Sequence, residues 1–156
     1  MPREAPLAAD TAMLTDDGRR TFDEVFPATA ESLADIRRLL RIILTAQPPD
    51  RRLMTDIELA VTEACANVVV HAYPEGGGAL EVSATLDEMG AITVVVRDRG
   101  RGPGPWTSDG LGLGVPLITA LSDSCRLRNR HPGTEVTMAF SWNGARHSAP
   151  DEPPGR

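Results

Sequence analysis

Glu63 and Asn67 stand four residues apart in the run DIELAVTEACANVVVHAY, from Asp56 to Tyr73. On a helix that spacing puts both on one face, a turn removed from each other. Small and apolar neighbours (Ala64, Cys65, Ala66, Val68) keep them off a plainly solvated face. A carboxylate placed there can accept a proton or orient a nucleophile. A carboxamide oxygen beside it can be a hard ligand for Mg2+, which keeps most of its waters and takes few protein oxygens. The same pair also fits two ordinary polar residues at a helix edge. Asp98 is a second candidate. It ends an apolar run, AITVVVR, and in an apolar pocket its carboxylate can accept a hydrogen bond from an exocyclic amine such as that of adenine. It also fits a turn-forming Asp before Gly.

Two glycine clusters complete the set. Asp98-Arg99-Gly100-Arg101-Gly102 follows the apolar run, and Gly110-Leu111-Gly112-Leu113-Gly114 leads into a helix expected over Val115 to Ser122. Glycines at such ends let backbone N–H groups approach an anion, and a helix start near Gly112 adds its dipole and unpaired N–H groups. Each cluster alone fits simple tight turns equally well. No Gly-Lys-Ser/Thr follows, so this is not a Walker A loop. GLGLG follows a Pro-rich loop rather than a strand, so it is not a dinucleotide fingerprint either.

The elements that would position these residues are legible in order. Thr21 to Pro27 alternates like a strand. Thr29 is a plausible N-cap for a helix whose stripe, Leu33, Ile36, Leu39, Leu40, Ile43 and Leu44, runs to about Ala46. Arg37, Arg38 and Arg41 are its solvated face, or meet an acidic partner. Gln47-Pro48-Pro49 stops it, and Asp50 or Thr55 starts the helix of Glu63 and Asn67, with Ile57, Ala60, Val61, Ala64, Val68 and Val69 as its apolar stripe. Pro74 ends that helix near Tyr73. Ala79–Leu86 and Ala91–Arg97 read as an antiparallel hairpin turned at Asp87–Gly90, the second strand apolar enough to be central. Ser124–Asn129 and Thr134–Trp142 read as the last two strands, with a turn at His131-Pro132-Gly133.

The chain has 156 residues, room for one domain with a real core. Apolar residues make up 41%, and the net charge is -6, which argues against a nucleic-acid binder. The two cysteines, Cys65 and Cys125, form no CxxC or Cys/His cluster, so a metal–thiolate site is not expected and a reduced compartment is. The first 20 residues hold no apolar run long enough for a signal peptide or membrane span. The expectation is a cytoplasmic protein with disordered tails over 1–20 and 143–156 and a folded domain over 21–142.

Taken together and in register, Glu63-x-x-x-Asn67, Asp98-x-Gly100-x-Gly102, Gly110-x-Gly112-Leu113 and Gly133-Thr134 resemble the GHKL nucleotide-binding fold of gyrase, MutL and histidine kinases. Within it the chain most resembles the small anti-sigma factors that are also serine/threonine protein kinases. TEACANVVVHAYPE is similar to their second helix and FPATAESLADIRRLL to their first strand and helix. The resemblance implies an α/β two-layer sandwich of the Bergerat type: a mixed, mostly antiparallel sheet with helices on one face and ATP between loops and helices. It implies that Asn67 holds Mg2+ and that Glu63 is the general base. It places Asp98 on adenine with Gly100 and Gly102 shaping the pocket, and Thr134 nearby. Gly110, Leu111, Gly112 and Leu113 would lie at the end of the phosphate-covering lid. His71, matched by a His in the family, is structural or near the site. The implied partners are a sigma factor, a STAS-type anti-anti-sigma protein phosphorylated on Ser or Thr, and a second copy, since such proteins are often homodimers. The chain departs from the family in its lid: only Pro103 to Asp109 separate the glycine clusters, without Lys or Arg. Arg99 and Arg101 are candidates to replace the missing phosphate contacts. The short lid also leaves two other readings open: a nucleotide-dependent sequestering module without kinase activity, or a histidine-kinase-like domain acting on a separate protein.

Overall fold

A computed structural model of the chain describes residues 13–15, 17–102 and 114–143. Six strands form one sheet in the order β1-β2-β3-β4-β6-β5, and every pairing among them is antiparallel. They are β1 (Met13–Leu14), β2 (Arg20–Pro27), β3 (Ala79–Leu86), β4 (Ala91–Asp98), β5 (Ser124–Asn129) and β6 (Thr134–Ser141). β4 is central, as its run of apolar residues predicts. β1 lies inside the stretch expected to be a tail: Met13 pairs with Thr21 and Leu14 with Arg20. The remaining tail residues, 1–12, 16 and 144–156, lie outside the described residues.

Alternation decides which face is covered. Leu80, Val82, Ala84 and Leu86 of β3 oppose Asp98, Val96, Val94 and Ile92 of β4, and all are buried. Phe22 and Phe26 of β2 and Val136, Met138 and Phe140 of β6 extend the same apolar layer. Three helices close over it: α1 (Ala30–Leu44), α2 (Arg51–Asn67) and α3 (Gly114–Leu121). The stripes expected for α1 and α2 point into this layer, with Leu40, Ile43, Ile57, Val61 and Ala64 fully buried. Cys65 is buried with them, which pushes its thiol pKa up to about 12 and leaves it inert.

Local chemistry sets the ends. Asp50 caps α2, its Oδ1 accepting from Leu53 N at 2.8 Å. Thr29 sits at the N-cap of α1 in extended conformation but makes no side-chain bond to the helix backbone. Its hydroxyl instead meets Ser32 Oγ, which donates to Pro27 O at 2.6 Å. In the β3–β4 turn Gly90 has φ +83°, and Asp87 Oδ1 accepts from Met89 N and Ala91 N.

The expected single helix from Asp56 to Tyr73 divides. It is α-helical to Asn67 and then a π turn over Val68–Ala72. Three consecutive β-branched valines crowd the preceding turn of an α-helix, and the looser winding begins at them. The three valines are alike and apolar, so their pattern carries no period that would separate the two windings.

Candidate functional site

The site residues converge where α2 ends, β4 ends, β6 begins and α3 begins. Asp98 is 3% exposed and Thr134 is 2% exposed. They are register partners across β4 and β6, with side chains on the helix-covered face. Asp98 Oδ1 accepts a hydrogen bond from Gly100 N at 2.9 Å. Burial pushes the Asp98 carboxyl above the usual carboxylate range, against the backbone N–H groups of Gly100 and Thr134, which favour the charged form. Thr134 Oγ1 is buried and has no hydrogen-bond partner among the described residues. A buried hydroxyl without a partner is costly, and here it is the cross-strand neighbour of a desolvated carboxylate. The other such atom, Trp142 Nε1, lies at the far end of β6 near Gly90.

Asn67 is half-buried and packs against the start of α3. A Cβ placed on Gly114 would come 2.7 Å from Asn67 Nδ2 and 3.4 Å from Oδ1. Gly114 is therefore the residue that admits the carboxamide to the N-terminus of α3. Glu63, half-buried, stands one turn back on the same helix face. Among the described residues no group of three His, Cys, Asp or Glu could hold a metal by itself. A cation at Asn67 would be held mainly by phosphate oxygens and water, which suits Mg2+.

The floor between these groups is drawn tight by contacts the spacing did not reveal. Arg101 N donates to Ala72 O at 2.9 Å, so the loop after β4 caps the π turn. A Cβ on Gly100 would lie 2.1 Å from that same carbonyl, so Gly100 makes this approach possible. Gly133, at φ +97°, packs on the Asp98 carbonyl, where a Cβ would lie 1.9 Å away. Gly102 has φ +89°, the left-handed backbone that glycine adopts most readily, and a Cβ there would meet nothing within 4 Å among the described residues. The sequence marks Tyr73 only as the helix end. Its hydroxyl donates to Ala79 O at 2.5 Å and accepts from Arg99 N at 2.9 Å, tying α2's extension to both β3 and β4. Its signal in the sequence was a lone aromatic with a polar tip beside Pro74. His71 lies half-buried on the π turn.

Arg99 does not stand in for a lid cation: it pairs with Glu81 at 3.3 Å and borders a cavity on the helix-free side. Arg101 is exposed. Gly110, Leu111, Gly112 and Leu113, with the rest of the lid, lie outside the described residues.

An open antiparallel sheet, helices on one face, a buried carboxylate at a central strand's end and a helix carboxamide against the start of the next helix fit a nucleotide-binding ATPase architecture. Comparison with known proteins agrees. Residues 26–140 match the histidine kinase-like ATPase domain, and the chain belongs to that family. It is 32% identical over 138 residues to the serine-protein kinase RsbW of Bacillus subtilis, covering 77% of this chain and 84% of that one. It is 26% identical over 145 residues to the anti-sigma F factor of Pasteuria penetrans, covering 84% of this chain and 97% of that one. The solved structure of the RsbU and RsbW domains of a Mycobacterium tuberculosis protein superposes with a TM-score of 0.62 at 27% identity. That match covers 78% of this chain and 32% of the longer one. No helix among the described residues is long and apolar enough to cross a membrane.

Proposed function

We propose that this protein binds ATP with Mg2+ and transfers the γ-phosphoryl group to a serine or threonine of an anti-anti-sigma partner of the STAS type, and that it also holds a sigma factor. The observation that carries the reading is the pairing of two features at one site. Asp98 and the unpartnered Thr134 hydroxyl offer a buried acceptor and donor for adenine, while Asn67 reaches the N-terminus of α3 at Gly114. The names of the B. subtilis and P. penetrans relatives support the kinase and anti-sigma assignments.

In this reading Asp98 accepts from the adenine amine, Gly100 and Gly102 shape the pocket, and Thr134 contacts the base. Asn67 holds the cation, and Gly110, Leu111, Gly112 and Leu113 close over the phosphates. Magnesium, when bound, neutralises phosphate charge. Glu63 accepts the proton of the attacking hydroxyl. The hydroxyl oxygen forms a bond to the γ-phosphorus, the bond from that phosphorus to the β–γ bridging oxygen breaks, and ADP leaves. Positioning supplies most of the acceleration. The folded unit of residues 21–142 is extended by β1 at Met13–Leu14; the compartment of this reading is the cytoplasm, and a second copy of the chain is a candidate partner.

The test is phosphotransfer to a STAS partner from radiolabelled ATP. Glu63→Ala should lower transfer about 10²–10⁴-fold, the range for a general base, while ATP still binds. Full transfer by the variant refutes the assignment. ATP bound by wild type but never consumed with any partner supports the sequestering module, the reading favoured by the short lid.

A further inference from the structure

The helix-free face of the sheet carries a second feature, on the opposite side from the nucleotide residues. Across β5, β6, β4 and β3 the register places Arg128, Glu135, Arg97 and Glu81 side by side, all pointing away from the helices. Arg97 Nε donates to Glu135 Oε2 at 2.6 Å, and Arg130 donates to the same oxygen at 2.5 Å. Beside them opens a cavity of about 210 Å³ lined by Glu81, Arg97, Arg99, Arg130, His131 and Pro132. Asp98 also borders it, but its carboxyl is turned to the helix side, on Gly100 N.

Shared use of one carboxylate oxygen fixes two guanidinium groups while leaving N–H donors on both. Hydrogen bonds from Arg97 and then Arg130 hold the Glu135 carboxyl below the usual range despite its burial, so it stays charged as the anchor. The three arginines of the lining, Arg97, Arg99 and Arg130, outnumber the two glutamates they pair with, Glu81 in the lining and Glu135 beside it, and Arg126 and Arg128 extend the positive charge along the edge strand. This corner is basic in a chain of net charge -6. The excess suits a single carboxylate, which Arg guanidinium groups bind bidentately. A polyanion would meet Glu81 in the wall, Glu135 beside it and the negative charge of the whole protein.

We propose that this cavity is a docking socket for a carboxylate side chain on an acidic segment of a protein partner, bound on the helix-free face. The proposal does not rest on the nucleotide site. Its test is fluorescence anisotropy with a labelled glutamate-rich peptide, a matched glutamine peptide, inorganic phosphate and duplex DNA. Arg130→Gln leaves Glu135 paired with Arg97, so the fold is retained. It should weaken the glutamate peptide about tenfold, the scale of one charge-assisted hydrogen bond. Arg52→Gln, an equal loss of charge at the exposed start of α2, should leave peptide binding unchanged. The glutamine peptide should not bind. Any of three results overturns the proposal: no saturable binding of the glutamate peptide, equal weakening by both variants, or tighter binding of phosphate or DNA at this site than of the peptide.

Discussion

Replacing Gly114 with alanine isolates the contact between α2 and α3. The added Cβ would lie 2.7 Å from Asn67 Nδ2, about 0.7 Å short of ordinary contact at 3.4 Å. Asn67 closes the α-helical part of α2, so its backbone is held and its side chain must yield. The alanine itself is welcome. Gly114 begins a helix without an unusual φ, and Gly→Ala there gains up to about 1 kcal/mol of helix propensity. Stability should therefore stay level or rise, while the carboxamide moves by several tenths of an ångström. Shifts of that kind in the support of a metal ligand typically lower affinity about 10–100-fold. Calorimetric titration of ATP should show such a loss with Mg2+ present and little change without it. In an Asn67→Ala background the same substitution should have no further effect, because the coupling runs through that one side chain. Unchanged Mg-dependent affinity in Gly114→Ala, with the fold intact, would refute the reasoning.

Two other substitutions probe the pocket. Asp98 has its folded pKa raised by burial, so its contribution to stability is present below the unfolded value and is lost as pH rises through the folded one. Asp98→Asn should then be more stable than wild type, with the margin widening as pH climbs through that window in thermal melts. It should also bind ATP about tenfold more weakly, because a charge-assisted acceptor becomes a neutral one. Tyr73→Phe removes the hydrogen bonds to Ala79 O and from Arg99 N. It should lower unfolding free energy by about 1–3 kcal/mol in a denaturant titration.

Short-range pattern carried the elements well. Alternation from Leu80 to Leu86 and the Asp87–Gly90 turn specify a hairpin locally, and Asp50 and the Pro48-Pro49 break bound α2. Position on the chain was less informative wherever winding or distance decided the outcome. The valines after Asn67 are alike and apolar, so the π turn left no signature. β1 is two residues, too short to show a pattern, that pair with Thr21 and Arg20. β6 lies between β4 and β5, an order no local spacing encodes.

The site residues show the same division. Asp98 and Thr134 are motif positions far apart in the sequence, and the register makes them cross-strand partners. Gly114 was only the last glycine of a cluster until α3 was seen to pack on Asn67. In the sequence Arg99 is a candidate phosphate contact because the lid holds no Lys or Arg, and it equally fits a solvated loop residue. Successive residues at a strand end point to opposite faces, and Arg99 went to Glu81 and the helix-free side.

The most direct measurement is a titration of ATP into wild type and Asn67→Ala, each with and without Mg2+. The account predicts that Mg2+ tightens ATP binding to wild type and that Asn67→Ala abolishes this gain. Failure of wild type to bind ATP, or an equal Mg2+ effect in both proteins, would contradict it.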